Sequence, residues 1–206
     1  MSLKIETFPS GPAPTNAYLV SDPDTGEALI IDAPPDVTGS ITAAVQRQSL
    51  QLTRIVITHG HWDHIGDAAA LHEATGAPLV GYAGLAQTLR HPSTTAPMTI
   101  PPADLDATLA DGDFVQLGGS TFTVMYLPGH EPSHIVLYSE KDRMFLGGDV
   151  LFPNGHGRTD LAGSDQTTMD HSLARLKDLP DDVVVYSGHG DPTTIGREKH
   201  WLAAKV

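Results

Sequence analysis

The sequence predicts a mixed α and β chain, of α/β or α+β type, in which two β-sheets pack together with helices outside. Three observations carry this. Both halves of the chain alternate short apolar, strand-like runs with helical segments. No unit repeats at the periods of roughly 20–50 residues that mark solenoids. A length of 206 residues with 40% hydrophobic and 18% charged residues suits a globular domain with a substantial core.

In chain order, residues 3–8, 17–21 and 27–32 read as strands, with Asp24-Thr25-Gly26 as the turn between the last two. Residues 37–50 space their apolar side chains as an amphipathic helix, and 55–58 form a short buried strand. Residues 65–74 have helical character and stop at Gly76, followed by a strand at 78–81 and a short helix at 83–89. Residues 91–102 carry Pro92, Pro97, Pro101 and Pro102 and form an irregular loop, a candidate lid or a passive connector. That loop is not a domain boundary, because the same alternation resumes after it. Strands are expected at 121–127, 134–139, 143–146 and 183–186, with a helix at 168–179. The expectation is one domain over residues 1–206.

Composition excludes several functions. Twenty-five acidic residues face 12 basic ones, a formal net charge of −13 with no Lys/Arg cluster, so a nucleic-acid substrate is disfavoured. There is no cysteine, hence no disulfide, and every metal ligand must be His or carboxylate. The opening Met1-Ser2-Leu3-Lys4-Ile5-Glu6 has no apolar secretory core, and no run approaches the ~18 apolar residues of a membrane span. A cytoplasmic protein acting on a small molecule, with no membrane partner, is expected.

The most informative segment is His59-Gly60-His61-Trp62-Asp63-His64, directly after Ile55-Val56-Ile57-Thr58. Imidazole and carboxylate are the usual ligands of zinc and neighbouring divalent metals. A solvated polar turn would account for the Asp and one His, but not for four ligands at a strand end. Three further candidates share one arrangement of strand, glycine and ligand: His130 after Leu127-Pro128-Gly129, Asp149 after Leu146-Gly147-Gly148, and His189 after Tyr186-Ser187-Gly188. Glycine there lets the backbone turn sharply and approach closely. His134 is a candidate for orienting a ligand and His156 a loop residue beside the site. His72, His91, His171 and His200 have no such context, and Tyr82 and Phe152 are candidates for pocket walls or plain core.

In this order and spacing, His59-x-His61-x-Asp63-His64, His130, Asp149 and His189 resemble the metallo-β-lactamase fold superfamily. Within it, Pro128-Gly129-His130-Glu131-Pro132-Ser133-His134, Gly157-Arg158-Thr159-Asp160 and Gly188-His189-Gly190-Asp191-Pro192 resemble short single-domain relatives of glyoxalase II, the hydroxyacylglutathione hydrolases. The resemblance implies an α+β fold, an αββα sandwich of two mixed sheets flanked by helices. It implies two divalent metal ions, zinc first, with iron or manganese also acceptable. His59, His61 and His130 would hold one ion, Asp63, His64 and His189 the other, and Asp149 would bridge them. Arg158 would clasp a substrate carboxylate or, with equal weight, pair with Asp160 or Asp165 to pin its loop.

Two such ions lower the pKa of a shared water to roughly 7, and the resulting hydroxide can attack a carbonyl. Asp63 could orient or accept the proton of that water, or serve as a ligand alone. A thiolate leaves readily, so a thioester is the favoured substrate. An amide would need an additional acid, which makes antibiotic hydrolysis a poor expectation. Glyoxalase II proteins carry a C-terminal helical domain with basic residues for glutathione, whereas residues 193–206 amount to one helix, so the acyl and thiol parts of the substrate stay open. The rivals on the same scaffold are a mononuclear iron persulfide dioxygenase, using only His59, His130 and Asp149, and a lactonase. A metal-binding protein without turnover ranks last.

Overall fold

The computed structural model describes residues 2–204. Strands β1 (Lys4–Ser10), β2 (Thr15–Ser21) and β3 (Glu27–Ile31) form an antiparallel meander. Helix α1 (Thr38–Gln48) leads to β4 (Gln51–Ile57), and α2 (Trp62–Ile65) and α3 (Ala68–Thr75) lead to β5 (Leu79–Tyr82). Helix α4 (Leu85–Arg90) and an irregular segment precede β6 (Ala107–Leu109). Strands β3 to β6 pair in parallel, so the first sheet is mixed and ordered as in the sequence.

The second sheet starts as an antiparallel run of β7 (Phe114–Leu117), β8 (Ser120–Tyr126), β9 (Ile135–Ser139) and β10 (Met144–Gly148). A small hairpin, β11 (Leu151–Phe152) with β12 (Gly155–His156), leaves the sheet and leads to α5 (Gln166–Ala174). The chain then returns as β13 (Val184–Ser187), parallel to β10, and β14 (Thr193–Thr194), before α6 (Ile195–Leu202). Both sheets are mixed and flanked by helices, the predicted αββα arrangement.

Side-chain alternation along the strands explains the layering. In β2, Ala17 and Leu19 face the layer shared with α1, α3 and α4, while Tyr18 and Val20 face the other sheet. In β4, Ile55 and Ile57 point outward to the helices and Val56 inward. The second sheet repeats the pattern: Ile135, Leu137 and Leu146 turn inward, whereas Val136 and Phe145 pack under Met169, Leu173 and Leu202. Strands covered on both faces are apolar throughout, which is why 55–58 read as a strand without alternation.

The structure differs from the sequence expectation in a few elements. The helix expected at 65–74 starts only at Ala68: α2 ends at Ile65, and Gly66 packs against the Pro35 ring, where a Cβ would lie 2.4 Å from Cγ. The Asp67 carboxylate then accepts from the Thr38 N–H (3.0 Å) and Oγ1 (2.7 Å), leaving the helix path to cap α1. Strand β1 continues through Pro9, tolerated on a sheet edge. The helix expected at 168–179 runs over Gln166–Ala174, started by the Asp165 side chain accepting from the Thr168 N–H at 2.6 Å. The short strands β6, β7, β11, β12 and β14 were not foreseen, whereas Gly76 does end α3, at φ 65°. Residues 91–102 hold no regular strand, as expected. Among the described residues, no helix is long and apolar enough to cross a membrane.

Glu198 ties α6 down. It is 2% exposed and accepts from Thr193 Oγ1 (2.6 Å), the Asn154 N–H (2.7 Å) and Trp201 Nε1 (2.8 Å). Burial alone would raise its pKa, but these donors outweigh that and hold it below the ordinary 4.5. A depressed folded-state pKa contributes stability above the unfolded value that is lost as pH falls through the folded one. Glu198→Ala should therefore cost about 2–3 kcal/mol at neutral pH, from charge-assisted hydrogen bonds left unmade. Urea midpoints should show that gap at pH 7 and a smaller one in acid.

Candidate metal centre

The candidate ligands gather at one edge of the sandwich, where several strands end. His59, His61, Asp63 and His64 follow β4, His130 follows β8, Asp149 follows β10 and His189 follows β13. His59, His64, His130, Asp63 and Asp149 are buried, and His61 and His189 are half-buried toward the opening. Their ligand atoms form three overlapping groups, each within 4.8 Å: His59, His61 and His130; Asp63, His64 and His189; and His59, His64 and Asp149. Asp149 lies between the first two. Its Oδ1 is 3.4 Å from His64 Nε2, and its Oδ2 is 3.3 Å from His130 Nε2 and 3.5 Å from His189 Nε2. Asp63 Oδ2 lies 3.2 Å from His189 Nε2.

The other ring nitrogens are occupied, which fixes which atom each imidazole offers. His64 Nδ1 donates to Asp32 Oδ2 (2.7 Å), and His59 Nδ1 meets Thr58 Oγ1 (3.0 Å), which itself donates to Asp32 Oδ2 (2.8 Å). His130 Nδ1 donates to the Arg158 carbonyl (2.8 Å) and His189 Nδ1 to the Ala13 carbonyl (3.0 Å). Each of these four therefore keeps Nε2 for the centre. His61 presents Nδ1, 3.0 Å from His59 Nε2. Tautomers here follow from the hydrogen-bond partners.

The first sheet holds the second half of the site in register. Thr15 Oγ1 donates to Asp63 Oδ2 at 2.7 Å, and the Asn16 N–H donates to the Gly188 carbonyl at 2.7 Å. Asn16 Nδ2 reaches the Ser187 and Gly190 carbonyls on either side of His189. His134 stacks on His59, with ring centroids 4.6 Å apart, and accepts the Asp149 N–H at Nε2 (3.0 Å), the orienting place foreseen for it. The glycines beside the ligands are required by space. A Cβ on Gly188 would stand 2.2 Å from Asp149 Oδ1, and one on Gly157 2.1 Å from the Asp149 carbonyl. Gly188→Ala is thus expected to displace Asp149 and cut metal stoichiometry below half, read by elemental analysis of a protein whose circular dichroism is unchanged.

Electrostatics and unmet hydrogen bonds fit a cation. Burial, together with neighbouring His64, His134 and His61, pushes His59 well below its ordinary pKa. His61 is pushed down to about 4 by burial and by His130 and His64. Burial would raise Asp149, but the neighbouring imidazoles of His64, His130 and His189 hold it well below the usual carboxylate range. Asp63 is likewise low, burial being outweighed by His189, His64 and Thr15. Burial opposes charge on His64 and His189, yet Asp149 and Asp32 raise the first, and Asp149 and Asp63 lift the second to about 10. The surrounding carboxylates thus favour positive charge at these two rings, which divalent ions would supply. Three buried atoms, His64 Nε2, His130 Nε2 and Asp149 Oδ1, have no hydrogen-bond partner, a costly arrangement that bound ions would relieve.

A cavity of about 420 Å³ lies over the ligands, with Trp62 and Leu161 in its wall and Ser93, Thr95 and Ala96 of the Pro-rich loop on one side. Arg158 sits at its mouth, paired with Asp160. Asp165 caps α5 instead. Tyr82 stacks on Tyr126 at 4.4 Å, Phe152 lies 6.2 Å from the His189 ring, and His156 packs near Trp201. His91, His171 and His200 are exposed, and His72 bonds the Ala77 carbonyl. Sequence reasoning missed Thr15, Asn16, Thr58 and Asp32. Only Asp32 left a signal, an acidic residue closing the apolar run Leu29-Ile30-Ile31.

A fold of two mixed sheets with this His/Asp edge defines a class, and the family comparison agrees. The model described as the metallo-beta-lactamase superfamily matches residues 10–189, and the chain belongs to that superfamily. It is 33% identical over 204 residues to "Hydroxyacylglutathione hydrolase GloC" of Haemophilus influenzae, across 96% of this chain and 95% of the relative. Among solved structures, the BLEG-1 B3 metallo-beta-lactamase superposes with a TM-score of 0.89 at 33% identity, over 96% of this chain and 97% of that one. A di-iron-bound form of TTHA1623 gives 0.79 at 34%, over 94% and 96%. ETHE1 from Myxococcus xanthus gives 0.79 at 29%, over 95% and 81%. Family and geometry together define a metallohydrolase scaffold whose His and Asp clusters bind divalent metal ions.

Proposed function

We propose that the chain is a thioester hydrolase of the hydroxyacylglutathione hydrolase type, working with two metal ions, zinc by preference. The observation that carries this is the pair of converging ligand groups, His59/His61/His130 and Asp63/His64/His189, with Asp149 reaching toward both. In this assignment the first group would hold one ion and the second the other, with Asp149 available to both. When bound, such a pair supplies a water of pKa near 7 and polarises the substrate carbonyl.

The protein's own residues do the rest. Asp63, one oxygen fixed by Thr15 Oγ1, orients the attacking water through its carboxylate and can take its proton. Asp32 and the Arg158 and Ala13 carbonyls hold His64, His130 and His189 against rotation as charge moves. Trp62, Ala96 and Leu161 give the cavity part of an apolar lining. A thiolate leaves without a proton donor, so the absence of an acid requirement suits a thioester. The likeness to "Hydroxyacylglutathione hydrolase GloC" points the same way, and that to a B3 metallo-beta-lactamase makes a β-lactam the natural control substrate. The test is turnover of a panel holding S-lactoylglutathione, a neutral acyl thioester, a homoserine lactone and a β-lactam. Thioester hydrolysis supports the proposal, and its absence with metal-loaded protein would sink it.

A second reading, a mononuclear iron persulfide dioxygenase, has the likeness to ETHE1 from Myxococcus xanthus in its favour. It leaves the second converging group, Asp63, His64 and His189, without a purpose.

A further inference from the structure

The first ligand group spans the two sheets: His59 and His61 follow β4 of one, and His130 follows β8 of the other. Such a constellation works only when packing and hydrogen bonds hold it to within roughly 0.5 Å. Thr15 and Asn16 join the sheets around the second group. Around the first, the joining contacts come from the turn at 131–135, directly after His130. The Ile135 N–H donates to the Thr58 carbonyl (2.9 Å), and the His134 ring stacks on that of His59. Glu131 completes the bracket. It is half-buried, its Oε2 accepts the Ser133 N–H (2.6 Å), and its carboxylate also bonds the Gly60 N–H. His59 is thus flanked, at Thr58 and at Gly60, by bonds to the turn that follows His130. Gly60 is packed against α4 as well, where a Cβ would stand 2.8 Å from Thr88 Cγ2 and 3.2 Å from Leu85 Cδ1. The turn is itself anchored, since Tyr126, stacked on Tyr82 of β5, donates its hydroxyl to the Pro132 carbonyl at 2.7 Å.

We propose that Glu131 is a positioning residue: its carboxylate, shared between the Ser133 and Gly60 N–H groups, fixes the His59–His61 segment against the His130 segment and so sets the spacing of the first ligand group. Two N–H donors converging on one side chain call for an acceptor-only group with two oxygens, which a carboxylate is and an amide is not. Charge-assisted bonds of this kind are also the stronger ones. Without them the Gly60 N–H is released, and His59 and His61 lose their register with His130. The second group keeps its own supports, Thr15 Oγ1 on Asp63 and Asp32 on His64. The proposal rests on the two-ion assignment above and is independent of the thioester substrate.

The experiment titrates zinc into the metal-free protein, Glu131→Ala and Glu131→Gln against a chromophoric chelator, with imidazole nitrogen resonances reporting which histidines fill. Glu131→Ala should weaken filling at His59, His61 and His130 about ten-fold, the lower end of what an outer partner contributes, and leave His64 and His189 within about two-fold. Glu131→Gln keeps the volume and one acceptor oxygen and should fall between. In the metal-free protein, the Gly60 amide should exchange with deuterium about ten-fold faster in Glu131→Ala, as expected for one charge-assisted hydrogen bond lost. Circular dichroism establishes the fold, and Glu131→Gln carries the same comparisons if the alanine variant does not fold. Equal weakening at both ligand groups, or unchanged Gly60 exchange, overturns the proposal. So does a Glu131→Gln as weak as Glu131→Ala, which would assign the effect to charge near the ions. If the unmodified chain takes up one zinc only, the two-ion reading fails, and Gly60 exchange then decides whether Glu131 holds the segment.

Discussion

Asp149→Ala is expected to release both metal ions together and to lower thioester hydrolysis by more than about 1,000-fold, beyond the roughly 10–100-fold cost of losing an outer hydrogen-bond partner. The Asp149 carboxylate is within 3.3–3.5 Å of the Nε2 atoms of His130, in one ligand group, and of His64 and His189, in the other. Removing it leaves five imidazoles and Asp63 around the centre, too little negative charge for two divalent ions. It also strips His64 and His189 of the carboxylate that most raises their pKa values. Elemental analysis, with circular dichroism to establish the fold, checks the outcome. A variant that keeps two ions and its activity would refute the bridging assignment.

The second large effect is expected from Asp32→Asn. Asp32 is 1% exposed and accepts three hydrogen bonds, from the Thr58 N–H (2.7 Å), Thr58 Oγ1 (2.8 Å) and His64 Nδ1 (2.7 Å). Its φ of 61° is left-handed, a conformation that asparagine tolerates well. The substitution therefore keeps backbone and volume while removing charge. His64 loses an anionic partner, and Thr58, which orients His59, loses part of its anchor. Metal affinity should fall about 10–100-fold, measured by competition with a chromophoric chelator. Affinity within two-fold of the unmodified protein would contradict a positioning role for Asp32.

The residues that converge at the sheet edge were legible as candidate ligands in the sequence because metal chemistry needs rare residue types at strand ends. Four ligands in six positions, and three repeats of strand, glycine and ligand, have no ordinary structural purpose. The two-sheet class was legible for a related reason, since strands such as Ile55-Val56-Ile57, covered on both faces, are apolar without interruption. The supporting residues were hidden. Thr15, Asn16 and the Ala13 carbonyl act on positions more than 45 residues away in every case, on Asp63 and on the segment around His189. Their local sequence carries no trace of that contact. The break at Gly66-Asp67 was equally invisible, because it depends on the distant Pro35 ring and Thr38. Strands of two or three residues, such as β11, β12 and β14, are too short for any periodicity to register.

Arg158 shows how local chemistry and function can compete for one side chain. Its position at the cavity mouth suits a substrate clasp, while its fork is committed to Asp160. The bare residue type suggested either role.

The most direct test of the two-ion hydrolase is the metal content of protein purified without added metal, measured beside thioester turnover. Two equivalents of divalent metal per chain, with hydrolysis lost on chelation and restored on reloading, is the result expected from the two converging ligand groups. One iron per chain, with oxygen uptake and no thioester hydrolysis, would contradict it.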